Sequence, residues 1–125
     1  MRIPYPFQQF EGVRVLIIAS GAQVGRIYIA NDGQIELIDE VGVVDTASDA
    51  DYLRELGQSI KSLDREIKLD EIYLIGPDYI LLEFERSLIG KFGRKRIKQS
   101  PGDNVVEEHP VRILARLAKV SQPTR

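Results

Sequence analysis

Ile27-Tyr28-Ile29-Ala30-Asn31-Asp32-Gly33-Gln34-Ile35-Glu36-Leu37-Ile38 is the stretch on which the architecture turns. Two runs rich in β-branched and aromatic residues flank Asn-Asp-Gly, and an Asp-Gly pair between such runs is a strong short-range signal for a β-hairpin. A hairpin here displaces the other reading, in which Gly21-Ala22-Gln23-Val24-Gly25 opens a helix and cradles a pyrophosphate. That chemistry needs a helix N-terminus behind the glycines and a third glycine in the fingerprint, whereas this chain offers G-x-x-x-G followed by a strand-like run. The glycines are therefore read as a hairpin link that permits positive φ or a bulge.

Outward from the hairpin, the pattern continues on both sides. Val13-Arg14-Val15-Leu16-Ile17-Ile18-Ala19 is a short β-branched run, too short for a helix and apolar enough for a central strand buried on both faces. Residues 1–12 hold Pro4, Pro6 and Gly12 among Tyr5, Phe7 and Phe10, which reads as an extended arm packed across the domain. Downstream the period changes. Leu53, Leu56, Ile60, Leu63 and Ile67 form one helical stripe, and Ser48 with Asp51 three residues later approximates a capping box. Glu71-Ile72-Tyr73-Leu74-Ile75-Gly76 is a fourth strand. Pro77-Asp78 turns the chain and caps a second helix with Leu81, Phe84, Leu88 and Phe92 on its apolar face. Arg94-Lys95-Arg96-Ile97-Lys98-Gln99 is a charged edge strand or the end of that helix, and Ser100 to Asn104 a loop. A third helix opens near Glu107-Glu108-His109-Pro110, with Val111, Leu114, Leu117 and Ala118 as its stripe. The order β-β-β-α-β-α-β-α predicts an α/β fold with a mixed sheet, one domain over residues 13–120 and a frayed tail over 121–125. That succession is the one found in ribonuclease-H-like folds.

Composition narrows the chemistry. The chain has 125 residues, 43% of them apolar and 29% charged, the balance of a globular domain. No apolar run approaches the roughly 20 residues that span a bilayer, and the N-terminus lacks a signal-like core, so a cytoplasmic protein without membrane contact is expected. With no cysteine and a single histidine, His109, neither disulfides nor thiolate or paired-imidazole metal sites are available. The first strand carries no acid, so the convergent carboxylates of a metal-dependent nuclease are incomplete even if Asp51, Glu55 and Asp78 are counted. His109 beside Glu108 is read as a helix-start residue rather than a lone base, and no serine sits on a nucleophile elbow. Neither catalytic residues nor a cofactor or metal is therefore expected.

The surface charge is uneven. Residues 1–90 carry eight Lys or Arg against sixteen Asp or Glu, and residues 91–125 carry nine against three. Lys91, Arg94, Lys95, Arg96 and Lys98 place five positive charges in eight positions, with Arg112, Arg116 and Lys119 on one face of the last helix as an extension. Such a run suits phosphate and predicts salt-dependent, largely sequence-independent affinity for nucleic acid. Its competing reading is a solvated helix end beside a protected sheet edge, which would leave an adaptor that binds protein through its acidic body or its aromatic arm.

The span from Val13 to Val41, with its Ser20-Gly21-Ala22-Gln23 link, Gly25-Arg26-Ile27-Tyr28-Ile29 and Asn31-Asp32-Gly33, resembles the opening of the middle domain of archaeal and eukaryotic peptide-chain release factors and their Pelota relatives. It is most similar to the stand-alone bacterial relatives known as host-attachment proteins. The first helix, Ile72-Tyr73-Leu74-Ile75-Gly76-Pro77, the basic Arg94-Lys95-Arg96-Ile97 and the last helix near His109-Pro110 share the resemblance, which covers about residues 13–118. It implies a translation-related module close to ribosomal or transfer RNA. Release factors of this kind carry a Gly-Gly-Gln loop between the third strand and the first helix. Here that interval reads Val41-Gly42-Val43-Val44-Asp45-Thr46-Ala47, and Gly21-Ala22-Gln23 lies too early to replace it. The expectation is a binding module without catalysis.

Overall fold

The computed structural model describes residues 1–42, 48–92 and 97–121, with side chains other than those of residues 88–92 and 119–121. Its elements are β1 (Val15–Ser20), β2 (Val24–Asn31), β3 (Gln34–Gly42), α1 (Asp49–Glu66), β4 (Glu71–Gly76), α2 (Asp78–Phe92), β5 (Ile97–Pro101) and α3 (Pro110–Ser121), with a 3-10 turn at Val105–Glu107 before α3. The five strands form one sheet in the order β3-β2-β1-β4-β5. β1 pairs antiparallel with β2 and parallel with β4, and β4 pairs parallel with β5.

The hairpin is present as the sequence predicts. β2 and β3 are joined by Asp32 and Gly33, whose φ values of 43° and 80° are those of a two-residue turn matched to strand twist. No helix follows Gly25, which pairs with Ser20 and Val41 inside the sheet.

Every residue of β1 is buried, and its two-residue period divides the interior into two cores. Leu16 and Ile18, with Ile27, Ile72 and Leu74, pack beneath Leu53, Leu56 and Ile60 of α1 and Leu81 and Phe84 of α2. Val15, Ile17 and Ala19, with Tyr28, Tyr73 and Ile75, face Ile113, Leu114 and Leu117 of α3 and Ile3 and Phe10 of the arm. Burying such side chains contributes about 1.5–3 kcal/mol each. The arm is tied down further by Asp32 N–H and Gly33 N–H, which donate to the Phe10 and Gln9 carbonyls, and by the edge-on contact of Phe10 with Tyr73.

Helix boundaries follow local chemistry. Ser48 and Asp51 form the reciprocal capping box of α1. α2 begins with the Pro77 carbonyl accepting from Ile80 and Leu81, so Asp78 is a first-turn acid and not the cap. Two further expectations are corrected. Ser100 and Pro101 belong to β5 instead of a loop, because the parallel ladder with β4 runs through to Gly76 opposite Pro101. On α3, Ile113 takes the buried position expected of Val111, since the helix begins at Pro110 and its inward stripe is shifted accordingly. The expected helical face of α2 includes Leu88 and Phe92, whose side chains lie outside the described set.

One close approach fixes the geometry at the end of β1. Tyr52, fully buried on α1, aims its hydroxyl at Ser20 and lies against Gly25, where an added Cβ would collide with that oxygen. Burial pushes the Tyr52 hydroxyl up to about 12 from an ordinary value of 10, an effect only partly offset by its bond to Ser20. Gly25→Ala is expected to lower stability in urea unfolding by about 1–3 kcal/mol. Combining it with Tyr52→Phe recovers part of that loss, because the clashing atom is gone; no recovery in the double-mutant cycle would refute the contact. The folded state keeps Tyr52 protonated while the unfolded chain ionises it near pH 10. Its contribution is therefore complete below pH 10 and lost as pH rises towards 12. Tyr52→Phe should flatten that alkaline limb in a stability-against-pH series.

Candidate nucleic-acid interface

The basic residues reach the structure through β5 and the helices on either side of it. Lys91 lies in the last turn of α2 and its side chain is outside the described set. Arg94, Lys95 and Arg96 also lie outside the described residues, immediately before Ile97 opens β5. Lys98, Arg112 and Arg116 are described, and each has a definite environment.

Lys98 stands on β5 opposite Tyr73 of β4. Its Nζ lies 3.6 Å from a Glu71 carboxylate oxygen and 5.5 Å from the centre of the Tyr73 ring. The cation thus sits between a carboxylate and an aromatic face, which holds its charge close to the sheet. Burial, and then the hydrogen bond and negative charge of Glu71, push the Tyr73 hydroxyl well above its ordinary range. Arg116 of α3 forms a two-pronged bond with Glu108, at 2.7 Å and 3.0 Å. That bond holds the Glu108 carboxyl below its usual value and raises the guanidinium. The Arg116 head also lies over Gly102 at the exit of β5, where a Cβ would stand 2.9 Å from its Nη1. Arg112, one turn earlier on α3, is exposed. β5 and α3 therefore bring Lys98 and Arg116 to one side of the sheet, but both are matched with an acid of the same chain. The acids Glu71 and Glu108 are what the sequence reading missed. Neither is within a helical turn of its partner, so no spacing rule could have named them.

The positions weighed for chemistry resolve differently. β1 is flanked by one antiparallel and one parallel neighbour, and the carboxyl ends of strands at such a point form the usual ligand crevice of an open α/β sheet. Here that end is closed. Ser20 Oγ donates to the Gly21 carbonyl at 2.9 Å and shares a 2.7 Å bond with Tyr52, while an added Cβ at Gly76 would lie 3.0 Å from the Ser20 carbonyl oxygen. Asp51 is engaged with Ser48 and Arg54 at the start of α1. His109 Nδ1 accepts the Val111 N–H and its carbonyl accepts from Arg112 and Ile113, which makes it the N-cap of α3. Among the described residues, no three acidic or imidazole side chains gather as ligands for an ion.

A groove of about 730 Å³ lies between α1 and α2, with Leu53 and Gly57 on one wall and Tyr79 and Leu82 on the other. Tyr79 and Leu82 are about half exposed. Their i, i+3 spacing, one residue off the buried pair Ile80 and Leu81, was a signal available in the sequence. Among the described residues no helix is long and apolar enough to cross a membrane.

Solved structures of similar shape settle the fold. Pelota from Thermoplasma acidophilum aligns over 86% of this chain with a TM-score of 0.62 at 18% identity, covering 34% of its own chain. It is a release-factor and Pelota middle-domain-like fold. A ribosome-bound archaeal Pelota described together with ABCE1 aligns over 83% of the chain, at a TM-score of 0.61 and 12% identity, with 32% of its own chain covered. The archaeal translation termination factor aRF1 aligns over 85%, at 0.56 and 11% identity, with 38% of its chain covered. The chain spans about a third of the length of these Pelota-like proteins. No family model and no curated protein matches the sequence.

Glu108 gains its low value chiefly from Arg116, so Arg116→Ala should return the carboxyl towards the ordinary range in an NMR titration. Because the folded value is depressed, the pair's contribution is present above the ordinary carboxylate value and lost as pH falls below it. For a part-buried pair at the surface that contribution is on the order of 1 kcal/mol. An unchanged Glu108 titration would refute the pairing.

Proposed function

We propose that this domain is a non-catalytic, translation-related binding module of the cytoplasm that contacts ribosomal or transfer RNA, or a ribonucleoprotein surface, through its basic segment. The observation that carries the reading is the shared fold with a ribosome-bound Pelota, joined to a chain whose positive charge is concentrated after residue 90. The absence of a Gly-Gly-Gln tripeptide from the sequence supports binding without ester hydrolysis. So does the closed, acid-free end of β1, where Ser20 and Tyr52 satisfy each other.

The working contacts follow from what the acids already hold. Lys98 and Arg116 are drawn towards Glu71 and Glu108, so their transfer to phosphate must first break an existing pair. Arg94, Lys95 and Arg96 are assigned the main phosphate contacts, with Lys91 and the exposed Arg112 as further contacts. Affinity should then be governed by counterion release, at a log-log salt slope of about −0.7 for each phosphate neutralised on a single strand. A second reading, a protein adaptor, is favoured by the groove between α1 and α2 with its exposed Tyr79 and Leu82.

Filter binding of a generic single-stranded RNA across a salt series separates the two. Replacing Arg94, Lys95 and Arg96 together by alanine should make the slope shallower by about 2 and weaken binding at every sequence tested. Lys98→Ala and Arg116→Ala should each change it far less. Absence of RNA binding at low salt removes the proposal and leaves the adaptor.

A further inference from the structure

β3 closes the sheet on one side, and the first part of its outer edge is already paired. Met1 and Ile35 exchange two main-chain hydrogen bonds of 2.8 Å, Ile3 N–H donates to the Gly33 carbonyl at 2.7 Å, and Arg2 lies opposite Gln34. The arm is therefore a short antiparallel addition, and this edge accepts a strand. The pairing ends there. By ladder alternation Leu37 is the next residue with its main chain directed outward, and among the described residues no strand lies along the outer edge of β3 from Leu37 to Gly42.

The side chains along this open part are unusual for an edge. Leu37 is 49% exposed and Ile38 39%, and the register shift opposite Ile27 and Tyr28 leaves Ile38 between the paired positions Leu37 and Asp39. Edges are commonly guarded by lysine, but this one carries Glu36, Asp39 and Glu40. Glu36 is held by the Met1 ammonium at 2.7 Å and Glu40 by Arg26 at 3.2 Å. Beside the edge, under α1, runs an open groove of about 330 Å³ lined by Asp39, Glu55, Gln58, Ser59, Ser62 and Leu63. It contains two carboxylates and no cation. A second copy paired β3 to β3 about a twofold axis would set these acids against their own kind.

We propose that β3 beyond Leu37 takes up an extended segment of a partner protein carrying alternating lysines or arginines. The segment adds as an antiparallel strand that continues the ladder begun by the arm, and its basic side chains enter the groove beside Asp39 and Glu55. Main-chain bonds supply the affinity and the two carboxylates the selection for cations, the general mode of strand addition. This surface lies on the opposite edge of the sheet from β5 and does not depend on RNA binding.

The probe is a synthetic octapeptide of alternating lysine and valine, titrated into the full chain and followed by amide hydrogen exchange and NMR shifts. Protection is expected at Leu37 and the β3 residues after it, with shifts at Ser59 and Ser62. Asp39→Lys and Glu55→Lys, both on the surface, should each weaken binding about tenfold or more. A peptide of the same charge interrupted by proline cannot form the ladder and should fail to protect β3, a control that leaves the protein unaltered. Equal binding of the proline peptide, an unchanged affinity in Asp39→Lys, or shifts confined to the groove between α1 and α2 would each overturn the proposal. So would sedimentation showing that β3 is already occupied by a second copy.

Discussion

The burial of β1 on both faces is the constraint from which the remaining structure follows. A strand with no solvent face must be covered twice, and alternation of its side chains assigns Leu16 and Ile18 to one cover and Val15, Ile17 and Ala19 to the other. α1 and α2 supply the first layer. α3 cannot supply the second alone, and the arm completes it by inserting Ile3 and Phe10. The arm is thus part of the core, which also explains why Phe10 is tolerated at a φ of 53°, a region that bulky residues rarely adopt.

The same strand governs what the domain can do chemically. Its carboxyl end falls where α/β sheets of this kind usually open to a ligand, yet Ser20, Gly25, Tyr52 and Gly76 close it by contact and hydrogen bonding. Polar groups are fully occupied there, and nothing acidic projects from β1. Exposed charge lies instead on the flanks of the sheet, at Asp39 of β3 and Lys98 of β5.

Most of the fold was legible because periodicity reports burial. The alternation around Asp32-Gly33 and the stripe from Leu53 to Leu63 each have one physical meaning and appear as read, while Ile67, expected on the same stripe, lies just past the helix as its extended C-cap. The errors fall where tertiary context overrides local signals. Pro101 reads as a loop residue, yet it completes an edge strand in which its missing N–H costs no ladder bond to an outer neighbour. Val111 and Ile113 are equivalent by composition, and only the docking of α3 distinguishes them. Tyr52, one residue before the apolar stripe, was passed over because its role depends on a glycine 27 positions earlier. For the interface, the run Lys91 to Lys98 was conspicuous, but the acids that restrain Lys98 and Arg116 are contacts between elements and leave no trace in spacing.

The sheet order has a final electrical consequence. β3, with its carboxylates, and β5, with Lys98, are the two edges of the sheet and are separated by four strand spacings, roughly 19 Å. That separation is about two Debye lengths at physiological ionic strength, so a ligand seated on one edge scarcely feels the charge carried by the other.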